Sequence, residues 1–352
     1  MNIDRRGLIS GAAALLSGVG VLRPSMARAL ATQPLSDPLW MVAPELREMA
    51  RRTIASSAGS PPLDQNYLRI RRRIEESAAP FGAAVPVREV MVPSGAGAAV
   101  RAFIINARAG ERRPVIVHAH GGGFLFGNAR AEVAGKQALA SMLDCVVVTV
   151  DYRLAPEATY AASIEDNYTV LRWVHSQAET IGIDRSRIAV MGESAGGGHA
   201  ALLAITARDR GEVPLVLQVL IYPMLDDRTG SGVEPPAHVG TIGWSVADNR
   251  FGWRSFLGMA PGGADVPVAA VPARTKDLAG LPAAFIGVGA IDLFVDEDIA
   301  FARRLVDAGV PTELMVVPGA FHGFDNGNSA AARAFGAAKI AAIRRAFTPT
   351  SA

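Results

Sequence analysis

The sequence predicts an α/β protein built on a mostly parallel sheet, with helices on both faces and a helical cap. From residue 85 onward, short apolar runs rich in β-branched residues alternate with helical patterns. The inner runs are almost continuously apolar, which is typical of strands that are covered on both faces of a sheet. At 352 residues the chain can form one large domain together with a smaller cap.

The strand signals lie, in chain order, at 87–92, 100–106, 114–118, 145–150, 188–191, 215–222, 284–288 and 312–317. Helical patterns fall between most of them, at 131–143, 164–181, 200–210, 297–308 and 330–347. Between 223 and 281 the alternation stops, and Gly, Pro and aromatic residues accumulate. We expect residues 224–281 to be an insert that completes the cap.

Two arginine-rich helical patterns, at 45–54 and 67–77, come before the first strand signal. Helices in that position have no strand to follow, so we expect them to fold over the sheet domain. Residues 30–84 are therefore predicted to be the N-terminal part of the cap, and residues 85–352 the domain that it covers.

The first 29 residues are typical of an export signal. Arg5 and Arg6 form a twin-arginine pattern, residues 7–22 are moderately apolar, and Ala27 and Ala29 offer a cleavage site. The alternative is an uncleaved anchor, but this apolar stretch is too short and too rich in glycine to span a bilayer well. We expect a periplasmic or secreted protein without stable membrane insertion after cleavage.

The composition excludes several classes of protein. Hydrophobic residues make up 50% of the chain and the formal net charge is +2, so we expect a globular protein that binds no nucleic acid. Cys145 is the single cysteine, which rules out an intramolecular disulfide or a cysteine-based metal cluster. It begins an apolar strand signal, which predicts a buried and inert thiol.

The sequence Gly-Glu-Ser-Ala-Gly at 192–196 lies between the strand signal at 188–191 and an apolar helical pattern. A nucleophile at the tip of a sharp strand-to-helix turn has a strained backbone, and side chains on its neighbours would collide across the turn. Gly192 and Gly196 therefore have a physical reason to flank Ser194. The following helix directs its free N–H groups at the serine, which favours an anionic intermediate.

A second glycine run, His120 to Phe124, directly follows the strand signal at 114–118. Successive glycines leave backbone N–H groups uncovered, so two of them can donate to a developing oxyanion. The N–H of Ala195, just after the nucleophile, supplies a third donor. Both runs lie at predicted carboxyl ends of strands, where sites form in such sheets.

A serine nucleophile needs a base, and that base needs an acid to orient it. Of the six histidines, His322 directly follows a strand and precedes the last helix, which predicts that it is the base. Asp292 follows the strand signal at 284–288 and is the predicted acid. Asp296 and Glu297 compete with it, but both are typical first-turn acids of a helix.

These motifs resemble those of the hormone-sensitive-lipase branch of the α/β-hydrolases, bacterial esterases with HGGG and GDSAG signatures. The resemblance covers residues 85 to about 347 and rests on segments 120–124, 151–157 and 192–197, with Asp292 and His322. It implies an α/β-hydrolase fold with an eight-stranded sheet, an N-terminal helical cap, and hydrolysis of small acyl or aryl esters without a metal or cofactor.

The resemblance also implies particular roles in the glycine loop. His120 would shape the loop, and Gly122, Gly123 and Ala195 would supply the oxyanion N–H groups. The sequence departs from the family pattern at Glu193, where the family usually has Asp, and at Leu293, where a proline is common.

The predicted activity is a serine carboxylesterase that works through Ser194, His322 and Asp292. An amidase, a lactonase or an acyltransferase on the same triad is an alternative, as is a non-catalytic receptor for a small ligand. Aromatic residues expected near the site favour an apolar acyl or aryl group: Phe124, Phe126, Trp244 and Phe251. A homodimer is left open.

Overall fold

Eight strands form one sheet, as expected. They are β1 (Val87–Val92), β2 (Val100–Ile105), β3 (Arg113–Ala119), β4 (Val146–Asp151), β5 (Ile183–Glu193), β6 (Leu217–Ile221), β7 (Ala283–Gly289) and β8 (Thr312–Val317). Their order in the sheet is β1-β2-β4-β3-β5-β6-β7-β8. Strands β1 and β2 pair antiparallel with each other, and β2 pairs antiparallel with β4; all remaining pairs are parallel. The mostly parallel sheet is therefore confirmed.

Helices connect and cover the strands. They are α1 (Arg47–Ser57), α2 (Leu63–Glu76), α3 (Ala129–Leu143), α4 (Tyr160–Ser176), α5 (Ala178–Ile181), α6 (Ala195–Arg210), α7 (Val246–Leu257), α8 (Val295–Asp307) and α9 (Ala330–Phe347). Strand β5 lies between β3 and β6, near the middle of the sheet, and α6 begins directly after it. The strand-to-helix junction at residue 194 therefore lies near the middle of the sheet.

The computed structural model describes residues 39–95 and 97–348, together with Asp37. The predicted export signal at 1–29 lies outside these residues and stays a prediction, as does the division into cap and main domain. No helix in the described part of the chain is long and apolar enough to cross a membrane. Cys145 is buried as expected, and burial together with Asp144 raises the pKa of its thiol to about 12.

Helix α7 lies inside the stretch 224–281, which was expected to be a cap insert and for which no helical pattern was given. Its start is fixed by a capping box: the Ser245 hydroxyl accepts from the N–H of Asp248 at 3.2 Å, and the Asp248 carboxylate accepts from the N–H of Ser245. Gly258 ends it at a φ of 71°. These terminal residues are visible in the sequence among the Gly and Pro residues that surround them.

Helix α8 carries a buried carboxyl group without a partner. Both oxygens of Asp298 are buried and have no hydrogen-bond partner among the described residues. Burial, followed by the charges of Glu297 and Asp292, raises the pKa of Asp298 well above its ordinary value. At a pH between the pKa of Asp298 in the unfolded chain and its pKa in the folded protein, the folded protein keeps a proton on Asp298 that the unfolded chain releases.

Asp298→Asn is expected to stabilise the protein by an amount that grows with pH. A carboxyl whose folded-state pKa is raised contributes stability that is fully present below its unfolded pKa and is lost as pH rises through the folded pKa. The amide removes that loss, so we expect a gain of about 1–2 kcal/mol at pH 8 and a smaller one at pH 5. Urea unfolding at both pH values measures it, and an equal gain at both would contradict this interpretation.

Candidate active site

The turn between β5 and α6 holds Ser194 in a left-handed backbone conformation, with φ 58° and ψ −123°. The flanking glycines are required because the turn is tight. A Cβ on Gly192 would lie 2.0 Å from the carbonyl oxygen of Gly196, and one on Gly196 would lie 2.1 Å from that of Ala119. The Gly-x-Ser-x-Gly pattern is thus a steric requirement of this turn.

Ser194, His322 and Asp292 form a hydrogen-bonded series, although they come from three separate segments. The Nε2 atom of His322 lies 3.0 Å from the Ser194 Oγ, and its Nδ1 lies 2.9 Å from the Asp292 Oδ2. Asp292 is fully buried and its other oxygen accepts from the N–H of Phe294. When Nδ1–H donates to Asp292, Nε2 is left to accept the proton of the serine hydroxyl.

The two carboxylates that competed with Asp292 are held elsewhere. Asp296 is exposed to solvent. Glu297 is buried, but its Oε1 accepts from the backbone N–H groups of Leu225 at 2.6 Å and Asp226 at 3.0 Å. Among the three acids, Asp292 is therefore the one that contacts His322.

Aromatic rings pack around His322 and restrict its orientation. The Phe294 ring stands edge-on at a centroid distance of 5.3 Å, and the Tyr222 ring lies at 4.7 Å. The Tyr222 hydroxyl donates to Asp325 at 2.7 Å, and burial, followed by Asp325, raises the pKa of Tyr222 well above its usual range. No local sequence motif points to Tyr222 or Asp325, which lie 103 positions apart in the chain.

The glycine loop after β3 has the geometry of an oxyanion-binding loop. Gly122 and Gly123 have φ values of 123° and 57°, which disfavour other residues. A Cβ on Gly122 would lie 2.0 Å from the Phe126 carbonyl oxygen. Within the described residues, the N–H groups of Gly122, Gly123 and Ala195 donate to no protein acceptor, so they are free to bind an anionic oxygen.

His120 is buried beneath this loop and contacts it directly. Its Nδ1–H donates to the carbonyl oxygen of Gly121 at 2.8 Å, and its ring stacks on Tyr152 at 4.3 Å. The Tyr152 hydroxyl donates back to the His120 carbonyl oxygen at 2.6 Å. Burial lowers the pKa of His120, which favours the neutral ring that these contacts need.

The sequence profile of the family described as alpha/beta hydrolase fold matches residues 116–326, more than half of the chain. The protein belongs to this α/β-hydrolase family. The carboxylesterase NlhH of Mycobacterium tuberculosis is 40% identical over 252 residues, which cover 67% of this chain and 75% of the relative. The arylesterase of Saccharolobus solfataricus is 30% identical over 222 residues, which cover 60% of this chain and 68% of the relative.

Solved structures that are similar to this protein are also esterases. A bacterial heroin esterase has 33% sequence identity and a TM-score of 0.80, covering 89% of this hydrolase and 100% of the other chain. A hyperthermophilic esterase from the archaeon Pyrobaculum calidifontis has 30% identity and a TM-score of 0.74, covering 86% and 98%. The family resemblance that the sequence motifs indicated is therefore confirmed.

Two of the four aromatic residues expected at the substrate site of this α/β-hydrolase line the cavity that contains Ser194. These are Phe126 and Trp244, whose rings are 6.4 Å apart. Phe124 instead lies in the core, where its ring stacks on that of Phe256 at 3.9 Å. Phe251 packs on Tyr67 of α2 at 5.9 Å. The structure therefore does not place Phe124 or Phe251 on the cavity wall.

Arg71 of α2 ties the N-terminal helices of the hydrolase to the glycine loop. Its guanidinium donates to the carbonyl oxygens of Leu125 and Ala155, and it forms two hydrogen bonds with Glu157 at 2.8 and 2.9 Å. A charge run such as that at 71–73 is typical of a solvated helix face. Arg71 departs from that pattern, because its guanidinium binds two backbone carbonyl oxygens and one carboxylate.

A cluster of charged side chains lies next to Ser194 in this hydrolase, around its chain neighbour Glu193. Glu193 accepts from Nε2–H of His118 at 2.7 Å and from the Lys136 ammonium at 2.8 Å, and Lys136 also lies 3.4 Å from Glu132. The ligand atoms of His118, Glu132 and Glu193 are close enough together to suit a metal ion. The Lys136 ammonium already supplies a positive charge to this cluster, so the residues fit an internal ion pair.

Proposed function

We propose that this α/β-hydrolase is a serine carboxylesterase that acts through an acyl-enzyme. The observation that carries the proposal is the series of Ser194, His322 and Asp292, with contacts of 3.0 and 2.9 Å, beside three free backbone N–H groups. The names of its relatives, carboxylesterase and arylesterase, support an ester as the substrate.

In the first half-reaction, the Nε2 atom of His322 accepts the proton of the Ser194 hydroxyl as Oγ attacks the ester carbonyl carbon. The carbonyl electron pair moves onto oxygen, where the N–H groups of Gly122, Gly123 and Ala195 stabilise it. Asp292 keeps the His322 ring oriented and stabilises its positive charge. The bond to the alcohol oxygen then breaks, and His322 donates its proton to the departing alcohol.

In the second half-reaction, water repeats these steps on the acyl-enzyme. His322 accepts a proton from water, the hydroxyl attacks the acyl carbon, and the same N–H groups bind the oxyanion. Collapse of this intermediate breaks the bond to the Ser194 Oγ, which recovers its proton from His322. The free carboxylic acid leaves, and the enzyme returns to its starting state.

The walls of the cavity favour a small acyl or aryl ester near the reacting carbon. Phe126 and Trp244 line the cavity beside Ser194, and the indole also lies over Gly123, where a Cβ would be 2.2 Å from Trp244. Flat apolar groups pack well on such rings. This preference belongs to the proposal, with p-nitrophenyl esters of short acids as the first substrates.

A serine-directed organophosphate tests the proposal directly. Diethyl p-nitrophenyl phosphate should release one equivalent of p-nitrophenolate, transfer its diethylphosphoryl group to the Ser194 Oγ, and abolish hydrolysis of p-nitrophenyl butyrate. Mass spectrometry of peptides identifies the modified residue. Ester hydrolysis that persists after complete labelling, or a label on another residue, would refute the mechanism.

A further inference from the structure

The cavity that contains Ser194 extends well beyond the reacting centre. Its volume is about 1330 Å³, larger than the 300–1,000 Å³ typical of small-molecule pockets. Helices α3 and α9 line the extension, and small residues face it from both: Ala131, Gly135, Ala138, Gly336, Ala337 and Ala341. A Cβ built on Gly135 or Gly336 meets no atom within 4 Å, so this space is open. We call this part of the cavity the helical arm.

Five positive side chains line the helical arm: Lys136, Arg333, Lys339, Arg344 and Arg345. Two of them are paired, Lys136 with Glu132 and Glu193 and Arg345 with Glu313. Arg333 donates to the Asn328 carbonyl oxygen at 2.7 Å and Arg344 to that of Met142 at 3.2 Å. Neither arginine has an ion pair among the described residues. Lys339 has neither a hydrogen bond nor an ion pair there.

The acidic residues of the cavity are already engaged. Glu132 and Glu193 share the Lys136 ammonium, and Glu193 also binds His118. Asp325 accepts from the Tyr222 hydroxyl. The lining nevertheless holds five positive side chains against these three carboxylates, a net charge of +2, which favours an anionic ligand.

Lys339 connects this charge to the reaction centre. It is half-buried on α9 and lines the same cavity as Ser194. Burial alone would raise the pKa of Glu193, but the charge of Lys136, the charge and hydrogen bond of His118 and, least of all, the charge of Lys339 hold it well below its usual range. Because Lys339 and Ser194 line one cavity, one ligand can contact both.

We propose that the helical arm binds an anionic group of the ester substrate, with Lys339 as its main ion-pairing partner. The inference rests on the proposed function and names a substrate class for it: esters in which a carboxylate lies at the far end of an apolar chain. The small apolar residues of the arm accommodate the chain, and the unpaired cations bind its end. The carboxylate can belong to the acyl part or to the alcohol part of the ester.

The test compares anionic and neutral esters of equal length. One series uses p-nitrophenyl monoesters of dicarboxylic acids, from glutarate to suberate, against p-nitrophenyl alkanoates. In Lys339→Met, the ratio of kcat/KM for the anionic ester to that for the neutral ester should fall about tenfold, the effect of losing one partly desolvated ion pair. Lys276→Met, which removes an exposed lysine outside the cavity, should keep the wild-type ratio.

A second series distinguishes the two sides of the ester. Acetate esters of hydroxybenzoates carry the carboxylate on the alcohol part, with phenyl acetate as the neutral control. A Lys339-dependent ratio in one series alone identifies the side that enters the helical arm. Unchanged ratios in both series would overturn the inference.

Measuring the binding of the anionic ester tests this inference independently of the proposed function. Calorimetry on Ser194→Ala measures the Kd of the uncleaved anionic ester, and adding Lys339→Met should weaken that Kd about tenfold. A Kd that does not change overturns the helical arm even if neutral esters are hydrolysed. A Lys339-dependent Kd in a protein that hydrolyses no ester would support the arm and count against the proposed esterase.

Discussion

Replacing Ser194 with alanine is expected to lower kcat for p-nitrophenyl butyrate by roughly 10⁴- to 10⁶-fold. The loss is this large because Oγ is the atom that forms the acyl-enzyme in the proposed mechanism, and no other hydroxyl or thiol of the described residues hydrogen-bonds to His322. The cavity walls and the free N–H groups remain, so KM should change only a few-fold. Steady-state kinetics with active-site titration of the wild type measures both constants.

A matched control is Ser176→Ala, which removes an exposed hydroxyl on α4 whose contact is the carbonyl oxygen of Trp173. Its kinetic constants should equal those of the wild type. If Ser194→Ala kept more than a tenth of the wild-type kcat, the acyl-enzyme mechanism on this serine would be wrong.

Asp292→Asn is expected to lower kcat by about 10⁴-fold at neutral pH while the protein stays folded. The amide nitrogen of asparagine can donate to Nδ1 of His322, which places the ring proton on Nε2 and removes the acceptor for the serine hydroxyl. The negative charge that stabilises the protonated imidazole is lost as well. Kinetics alongside circular dichroism separates this effect from misfolding.

Asp296→Asn makes the same chemical change four residues later, on a side chain exposed to solvent. It should leave kcat unchanged within a factor of two or so, since surface changes rarely propagate. A large loss in Asp296→Asn together with an active Asp292→Asn would reverse the assignment of the acid.

The inner strands of this protein could be predicted closely from the sequence, because parallel strands covered on both faces form uninterrupted apolar runs. The signals at 114–118, 145–150 and 284–288 differ from β3, β4 and β7 by one residue at each end. The signal at 188–191 covers only four of the eleven residues of β5, since the polar residues from Asp184 to Arg187 disguise its first half. That half pairs with β3 through Ile183 and Arg113, a contact that no local pattern reveals.

The positions of the triad and the glycine loop were also predictable, because each follows a strand at the carboxyl edge of the sheet. The contacts around them were not. Arg71 reaches Glu157 across 86 positions and Lys136 reaches Glu193 across 57, so the sequence shows only isolated charges. Phe124 was expected in the pocket because it is aromatic and belongs to the glycine run. Its ring instead stacks on that of Phe256 and is buried in the core.

The backbone of Ser194 has a consequence for engineering this enzyme. Its φ of 58° and ψ of −123° belong to a region that glycine adopts far more readily than serine. A non-glycine residue in this region typically lowers the free energy of unfolding by about 1–3 kcal/mol. The protein is therefore less stable with Ser194 in this conformation than it would be with glycine. Selection for heat resistance alone would favour glycine at this position and discard the activity. Any programme of thermostabilisation must therefore screen for turnover at every round.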